Sequence, residues 1–541
     1  MANQITDNRT LIDAANAVTN FDDLTGGAAG TQDTEIKYQG TASVSEYLGS
    51  TLSGLMYDAG TAQNWASNTF YILINCGIVG LLDTKAAGGF RIRFAGNTAT
   101  DWFEVYVAGS DEWPASFSGG WTQFVVDIET ARADAVTNGW TNGTTPATSA
   151  IRYVGWAGVT GGTMPRMVDN TWMDEIRRLP DGSPGIIVEG RNGGTTDWNW
   201  DDVISNAATG EWGTCRTGAG GAVVINTPIQ FGENDTVTHG FTDTNRTILW
   251  ENQEFLADDI YSFSFVGNAG GTTNVTGGIS SGSGDDRTGA QGWIVQSAGN
   301  GPRWSFDATD ANLDNIDFYG CSFIHGASFS INSSIVEFIG NTFLDCSSAQ
   351  IDNSVFIRNT VVDANTADGV AFVTTDDLSD VKFCDFTFSD GHAIEITSNT
   401  VTPQASKGNA YTGYGADASN DAAIFNDAGG SLTINITDGG DTPTTRTTSG
   451  TTTVNNAVNI TLTNLIAGSR VWIYNDDDSL ELFNEVEATT TFADTINYTT
   501  DKAITVRVRN STSSPYYKTF QTSGTITSSG YSAVVNQELD E

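Results

Sequence analysis

Four segments between Leu313 and Thr397 can be aligned with one another, and this repeat limits the possible folds more than any other feature. The segments are IDFYGCSFI, VEFIGNTFL, SVFIRNTVV and VKFCDFTFS. Each has a phenylalanine at its third position and another apolar residue five positions later. The first column is Phe318, Phe338, Phe356 and Phe383, and the second is Phe323, Phe343, Val361 and Phe388. A repeat of about 20 residues with strand-like runs is typical of a solenoid, in which each repeat buries its aromatic residue against the next.

Stacked repeats of this kind place equivalent strands about 4.8 Å apart, so each apolar column becomes a ladder inside a coil. The sequence therefore predicts a right-handed parallel β-helix. Asn341 and Asn359 share a repeat position and are expected to stack at a corner of the coil, where their amides satisfy each other. A β-sandwich with accidental phasing is the alternative, but two columns in constant register favour the coil.

The chain of 541 residues is too long for a single core, so several domains are expected. Residues 1–185 contain alternating runs such as FRIRFAG and WFEVYVAG, which predict an antiparallel jelly-roll sandwich. Residues 186–450 contain the predicted β-helix and its capping segment. Residues 451–541 contain VNITLTNL and SRVWIYN, which predict a small antiparallel sandwich of immunoglobulin-like character. The fold class is therefore all-β, and only residues 127–135 and 171–179 are helix candidates.

The net charge of −41 disfavours several classes of partner. Phosphate backbones and anionic membrane surfaces repel such a chain, so neither nucleic acid nor a membrane is expected as a partner. The five cysteines form no CxxC pair and there are three histidines, so neither a disulfide framework nor a zinc centre is expected.

The first ten residues, MANQITDNRT, lack the basic and apolar regions of a signal peptide, and no run approaches the ~18 apolar residues of a membrane span. Synthesis in the cytoplasm is therefore expected. The composition, however, is that of an extracellular adhesive β protein.

Sugar binding requires aromatic rings beside carboxylates, and two loops supply both. Trp113 follows Asp111 and Glu112, while the segment TTDWNWDDV supplies Trp198, Trp200, Asp201 and Asp202. The alternative for Trp113 is packing in the core. The alternative for the second cluster is an N-capped turn, or a plug that covers the open end of the coil.

Asp317 and Glu337 occupy the same repeat position one turn apart, which predicts two carboxylates about 5 Å from each other, the separation found in retaining glycosidases. The equivalent positions in the next two repeats are Val355 and Lys382, so a solvated acidic face is the alternative. The sequence favours binding over catalysis.

Three acidic loops have the hard oxygen ligands that calcium prefers, although none matches an EF-hand loop. Their residues are Asp285, Asp286, Asp376, Asp377, Asp476, Asp477 and Asp478. Solvated turns are the alternative, and the sequence indicates no cofactor other than calcium.

Two pairs of motifs resemble known families. WTQFVVDI and TWMDEIRRL resemble late strands of concanavalin-like and laminin-G-like jelly rolls, folds that often bind glycans. AIFNDAGGSLTINITDGGDTPTTRTTSG resembles segments that close β-helical virion proteins of tailed bacteriophages, and the strands after residue 451 resemble C-terminal modules of phage structural proteins.

The second resemblance implies a virion protein that assembles inside the host cell and functions outside it. It also implies a homotrimer, contacts with other virion proteins, and attachment to a host-surface polysaccharide as a projecting fibre or spike. A capsid-decorating protein and a polysaccharide-degrading β-helix enzyme are the alternatives. A bacterial adhesin would be expected to carry calcium-binding nonapeptide repeats or an export signal, and neither is evident.

Overall fold

The computed structural model describes residues 4–540 except 28, 39, 115, 117–118, 162–170, 207–212, 252–254, 258–260, 269, 284–286, 298–302, 311, 332–335, 348, 352–355, 359–360, 365–366, 388, 402, 438–439, 477–478, 499–500, 511–513 and 528. Only the backbone is described at residues 331, 336, 349–351, 356–358, 361, 363–364, 457 and 497. Several residues singled out from the sequence lie outside the described residues: Asp285, Asp286, Val355, Asn359, Phe388, Asp477 and Asp478.

Strands make up 53% of the protein and helices 8%, so the predicted all-β class is confirmed. The chain divides into two compact units. The first contains residues 1–277, 293–316 and 324–327, and the second contains residues 278–292, 317–323 and 328–541. The strands Leu313–Tyr319, Ser322–Ile324 and Gly326–Ile331 include residues of both units.

The first unit begins with two antiparallel sheets, as predicted for this part of the chain. One sheet has the order Trp121–Asp127, Asn68–Cys76, Thr171–Pro180, Ser43–Glu46 and Thr31–Asp33, and Thr10–Asp13 also pairs with Thr171–Pro180. The other has the order Thr141–Asn142, Trp102–Ala108, Phe90–Ala95, Ile151–Gly158, Ser53–Gln63 and Phe21–Asp22. Phe90, Phe124 and Trp156 stack in the core between the two sheets.

Of the two helix candidates, one is a helix and the other is a strand. The helix Ile128–Asn138 begins at Asp127, whose Oδ1 accepts a hydrogen bond from the Thr130 amide at 2.7 Å, and ends at Gly139 with φ 73°. Residues 171–179 instead belong to the strand Thr171–Pro180, which pairs with strands on both of its sides. Burial in the middle of a sheet outweighs the weak helical pattern there.

The remaining helices are short. The α-helix Trp200–Ser205 begins with a capping box formed by Asn199 and Asp202. Among the described residues, the 3₁₀ helices are Val18–Asn20, Val79–Leu81, Lys85–Ala87, Thr148–Ala150, Ala219–Gly221 and Leu378–Asp380.

After residue 185 the first unit changes to mainly parallel pairing, and the chain visits three sheets in turn. The first sheet contains Gln4–Asp7, Ile186–Glu189, Ile229–Phe231, Tyr261–Phe265 and Trp304–Ala308. The second contains Cys215–Thr217, Val223–Ile225, Thr247–Trp250 and Ile294–Ser297, and the third contains His239–Asp243 and Thr273–Gly277. Gln4–Asp7 and Cys215–Thr217 are the antiparallel members. The other strands stack as the turns of a coil.

In the second unit the chain again visits three parallel sheets in turn. One contains Ala349–Ile351, Ala371–Thr375, His392–Ile396, Ile424–Asn426 and Thr445–Thr447. The second contains Val336–Ile339, Phe356–Arg358, Val381–Lys382, Gln404–Lys407, Leu432–Thr437 and Thr452–Thr463. The third contains Thr342–Cys346, Val361–Ala364, Asp385–Thr387 and Ala410–Thr412. This arrangement is the stacking that the repeat predicts, while its handedness stays a prediction.

The predicted aromatic ladders begin as expected and then differ in register. The rings of Phe318 and Phe338 stack with centroids 5.7 Å apart, and those of Phe323 and Phe343 stack at 5.2 Å. Phe338, however, pairs with Ile357 and not with Phe356.

In both ladders the third repeat is shifted by one residue, and the fourth is shifted by two residues in the opposite direction. Phe343 pairs with Val362 in place of Val361, and Val362 pairs with Phe386. Phe383 is half-buried with φ 54°, and Val381 is the buried residue of that strand. Side chains alternate between the two faces of a strand, so a shift of one residue exchanges the buried and exposed positions.

The second unit ends in a sandwich of mainly antiparallel strands, in which Thr452–Thr463 and Tyr531–Val534 pair in parallel. One sheet has the order Glu481–Glu487, Ser469–Asn475, Lys502–Arg509 and Phe520–Ile526. The other pairs Thr452–Thr463 with Thr491–Tyr498 and Tyr531–Val534. A hairpin of Ile279–Ser281 and Thr288–Ala290 also belongs to this unit.

The predicted boundaries at residues 185 and 450 stay predictions, as do the jelly-roll and immunoglobulin-like topologies. Among the residues described, no helix combines the length and the apolar character needed to cross a bilayer.

Candidate functional site

A cleft of about 490 Å³ opens in the N-terminal sandwich of the first unit. It combines aromatic rings with carboxylates, an amide, a hydroxyl and one ammonium group. The lining residues are Lys85, Ala86, Tyr106, Asp111, Glu112, Thr130, Asp134, Asn138, Trp140 and Phe255.

Two aromatic side chains from different elements meet in this cleft. Tyr106 belongs to the strand Trp102–Ala108, and Trp140 follows Gly139 at the end of the helix. The Trp140 amide donates to the Ala135 carbonyl at 2.8 Å, and the Trp140 carbonyl accepts from the Glu104 amide at 3.0 Å. These backbone bonds fix the indole beside the strand that bears Tyr106.

The aromatic pair is part of a layered stack. The rings of Tyr106 and Trp140 are nearly parallel, at 16°, with centroids 4.2 Å apart. On the Tyr106 ring lies the Arg91 guanidinium, whose Cζ is 4.6 Å from the ring centroid. Both rings are half-buried, so the stack presents a preformed aromatic surface to the cleft.

Buried charges hold the base of this stack. Glu104 accepts hydrogen bonds from Arg91 Nη1 and Arg93 Nη2, each at 2.6 Å. The Arg93 guanidinium also lies over Trp102, with its Cζ 4.0 Å from the ring centroid. Burial lowers the pKa of Arg93, and the charge of Glu104 opposes that effect. The rotamer of Arg91, and through it that of Tyr106, is therefore fixed by a paired charge cluster.

The rim of the cleft is polar. A turn joins Gly109 to Glu112, and Asp111 Oδ1 accepts from the Lys85 amide at 2.7 Å. Lys85 Nζ lies 3.5 Å from Glu112 Oε2. These groups leave carboxylate oxygens at the mouth of the cleft, where they can accept hydrogen bonds from a ligand.

The helix side of the cleft adds further polar groups. Asn138 Nδ2 donates to Asp134 Oδ1 at 2.9 Å, and Thr130 lies one turn before Asp134. A flat aromatic surface beside hydrogen-bond acceptors matches the apolar face and hydroxyl edge of a sugar ring. The arrangement is therefore suited to binding carbohydrate.

The tryptophans that the sequence singled out lie elsewhere. Trp113 packs on the core with its ring centroid 5.2 Å from that of Phe90, and its Nε1 donates to Thr122 Oγ1 at 3.2 Å. The sequence offered Trp113 as a sugar-binding residue with packing in the core as the alternative, and the structure half-buries it because this loop folds back over the sandwich core.

The second predicted cluster has a capping role. Trp200 is fully buried with its ring centroid 5.1 Å from that of Phe241, so it cannot stack on a ligand. Trp198 Nε1 donates to the Glu189 carbonyl at 2.8 Å. Asp201 is exposed and forms a 2.6 Å ion pair with Arg246. The plug alternative describes this geometry better than sugar binding does.

The predicted carboxylate pair is found around a tyrosine. The Tyr319 hydroxyl donates to Glu337 Oε2 at 3.2 Å, and Arg287 Nη1 lies 2.7 Å from the same oxygen. Burial raises the pKa of Tyr319, and the charges of Asp317 and Glu337 raise it further. Glu337 therefore anchors Arg287, which follows a segment outside the described residues and precedes the hairpin strand Thr288–Ala290.

The acidic loops and the asparagine ladder have structural roles where they are described. Asp377 caps a 3₁₀ helix by accepting from the Ser379 amide at 2.8 Å, the carbonyl of Asp376 accepts from Gln404 at 2.8 Å, and Asp476 is exposed. Within the described ranges, no group of three or more His, Cys, Asp or Glu residues is suited to a metal ion.

Asn341 is buried in the coil, and its predicted partner Asn359 lies outside the described residues. Asn341 Oδ1 accepts from the Cys321 amide at 2.7 Å and its Nδ2 donates to the Phe318 carbonyl at 2.9 Å. Asn409 repeats this pattern with Cys384 and Val381. These asparagines join successive turns through the backbone.

The residues that form the cleft were not identified from the sequence, although one signal was present. In WFEVYVAG, strand alternation places Tyr106 on the face opposite Phe103, Val105 and Val107. Its partner Trp140 is distant in sequence, and nothing local in the chain indicates that the two rings meet. No family model matches the chain, and no curated protein matches it significantly.

Proposed function

We propose that this protein is a structural component of a bacteriophage virion, a projecting fibre or spike that attaches to a glycan on the host surface. The sequence likeness to virion proteins and the order of sandwich, parallel coil and sandwich support this proposal. The net charge of −41 suits a soluble β-rich particle component that avoids edge-to-edge association.

The observation on which glycan attachment rests is the stacked pair of Tyr106 and Trp140 in the 490 Å³ cleft. A single cleft of this kind binds a sugar weakly, so repeated copies would be needed for firm attachment. A homotrimer on the virion, in contact with other virion proteins, would supply those copies. Calcium is not required by any step of this proposal.

The capsid-decorating alternative has no need of a preformed aromatic cleft, and the cleft therefore favours the attachment role. The depolymerase alternative relies on Asp317 and Glu337. Glu337 is bound by both Arg287 and Tyr319, which leaves it poorly placed to act as a nucleophile.

The direct test is binding of the purified full-length chain to polysaccharides extracted from candidate host cells, followed by titration with oligosaccharides of the one that binds. Trp140→Ala should raise the Kd about 5-fold, because loss of one stacked ring costs about 1 kcal/mol. Trp140→Phe keeps a ring in place and should recover most of the affinity. Equal binding by wild type and Trp140→Ala would refute the role of the cleft.

The enzyme alternative has its own assay. Incubation of the protein with host capsule or lipopolysaccharide should leave the polymer length unchanged. If the wild type depolymerises the polymer and Asp317→Asn does not, the protein is instead a glycosidase that uses this carboxylate pair.

A further inference from the structure

The outer face of the four-stranded sheet in the C-terminal sandwich has an unusual composition. Along the strand Ser469–Asn475, buried Val471 and Ile473 alternate with Arg470, Trp472 and Tyr474, which point to the other side. Alternation of this kind is expected when a sheet covers a core with one face only. The outward side chains are two aromatic rings and an arginine in a single row.

The neighbouring strand adds two more arginines in register. Arg470 lies directly opposite Arg509, and Trp472 lies opposite Arg507. Like charges directly opposite each other on neighbouring strands destabilise a sheet. The chain has 65 acidic residues and only 24 basic ones, so an arginine pair with no acidic partner is unexpected.

The described residues offer these arginines neutral partners. Arg470 Nε donates to Asn484 Oδ1 at 2.7 Å, and Arg507 Nε donates to Gln521 Oε1 at 3.0 Å. Within the described part of the chain, none of the three arginines forms an ion pair. Their positive charge is therefore available to an external anion.

The aromatic rings lie next to these charges. The Arg470 Cζ is 5.5 Å from the Trp472 ring centroid, and the Arg507 Cζ is 5.8 Å from that of Tyr474. At the Tyr474 end the row opens into a cleft of about 330 Å³. Two carboxylates, Asp476 and Glu481, lie at this end, and Glu481 accepts from Asn484 at 3.0 Å. The arginine pair lies towards the opposite end of the strand.

We propose that this face binds an anionic polysaccharide, with sugar carboxylates on Arg470, Arg507 and Arg509 and sugar rings on Trp472 and Tyr474. Arginine binds carboxylates through two parallel hydrogen bonds, which a lysine cannot do. Rings two residues apart on a strand are about 7 Å apart, so a linear chain of charged sugars can follow the row. Because the row is one strand wide, a linear polysaccharide fits it better than a broad acidic protein surface does. This site is separate from the acidic cleft at Trp140, and it binds a different class of glycan.

The experiment is calorimetric titration of the full-length protein with polygalacturonate oligomers at low salt, with dextran oligomers as the neutral comparison. We expect the wild type to bind the polyuronate and not dextran. The affinity for the polyuronate should fall at least 10-fold in Arg470→Gln/Arg509→Gln. The melting temperature of that variant should not fall, because the substitution removes a repulsive pair. Lys37→Gln/Lys518→Gln removes the same charge at other exposed positions and should bind as the wild type does.

Three results would refute the proposal. The first is no polyuronate binding by the wild type. The second is an equal loss of affinity in the two double variants, which would indicate a general charge effect. The third is self-association of the wild type that Arg470→Gln/Arg509→Gln abolishes without a change in polyuronate binding, which would identify an acidic protein surface as the occupant. Trp140→Ala should leave polyuronate binding unchanged, which separates this site from the first cleft.

Discussion

The N-terminal sandwich and the coil of the second unit bury polar groups in different ways. The sandwich buries charges as pairs, such as Arg93 with Glu104. In the coil, buried Asn341 and Asn409 are neutral and bind the backbone of the preceding turn. A charge pair forms once, at one place, whereas an amide that joins adjacent turns can be repeated along the chain.

This difference bears on where a binding site can form. In the sandwich, single contacts fix an individual side chain, and the cluster around Glu104 supports the ring of Tyr106. In the coil, successive turns present similar residues at similar positions, so most contacts in one turn are the same as those in the turn before it. The candidate glycan cleft lies where the chain is least periodic.

Removal of Glu104 should give the largest effect and would test the sandwich side of this comparison. Glu104→Ala leaves the guanidinium groups of Arg91 and Arg93 buried without their carboxylate, which should cost about 3–5 kcal/mol in urea unfolding. Glu112→Ala breaks an ion pair in which the Glu112 side chain is 61% exposed, and it should cost less than about 1 kcal/mol. Similar losses in the two variants would contradict the distinction.

The second test in the sandwich uses pH. Burial raises the pKa of Glu175 to about 7, although Arg177 and Arg9 oppose the shift. The folded state thus retains a proton that the unfolded chain releases above about pH 4.5, so stability from this group is lost as pH rises from 4.5 to 7. The free energy of unfolding of Glu175→Gln should exceed that of the wild type by about 3 kcal/mol at pH 8, with a smaller difference at pH 5. A difference that does not depend on pH would exclude this titration.

The corresponding test in the coil removes an amide. Asn409→Ala leaves the Cys384 amide and the Val381 carbonyl without their hydrogen bonds, at a cost of about 1–2 kcal/mol. Hydrogen exchange at Cys384 should accelerate while strands of the N-terminal sandwich are unaffected. Asn455→Ala removes only a half-buried bond to Asn435 and is the matched control. Acceleration throughout the chain would show that the turns do not unfold locally.

The smallest expected effect is a pH response of the opposite sign in the coil. Burial lowers the pKa of His392, whose Nδ1 bonds the Ala422 carbonyl while Nε2 faces Arg446 Nη1 at 3.2 Å. The unfolded chain binds this proton more readily, so stability from His392 is lost as pH falls below about 6.5. In His392→Gln this loss of stability at low pH should be absent. The measurement is hydrogen exchange of the strand His392–Ile396 as a function of pH. An unchanged pH profile in the variant would contradict the assignment.

The sequence predicted the periodic parts of the molecule better than the unique ones. Phe318 and Phe323 stack with their partners one turn later because the repeat there has constant length. Ile357 replaces Phe356 as the pairing partner of Phe338 because register must be correct to a single residue, and composition cannot distinguish neighbouring apolar positions where the repeat length changes.

The cleft could not be predicted for a different reason. Lys85, Tyr106 and Trp140 come together through the fold of two sheets and the end of a helix, which no local pattern specifies. The number of tryptophans does not indicate which rings are accessible and which pack in the core. Trp113 and Trp200 were favoured as sugar-binding residues because carboxylates precede or follow them in the sequence.

The strand Thr452–Thr463 has a mechanical consequence. Its first residues pair in parallel with Leu432–Thr437, and those from Asn456 onwards pair antiparallel with Thr491–Tyr498. One continuous strand therefore belongs to the last turn of the coil and to the C-terminal sandwich, with no linker between them. Tension or torque applied to the sandwich passes directly into a ladder of backbone hydrogen bonds, and the junction behaves as a stiff coupling.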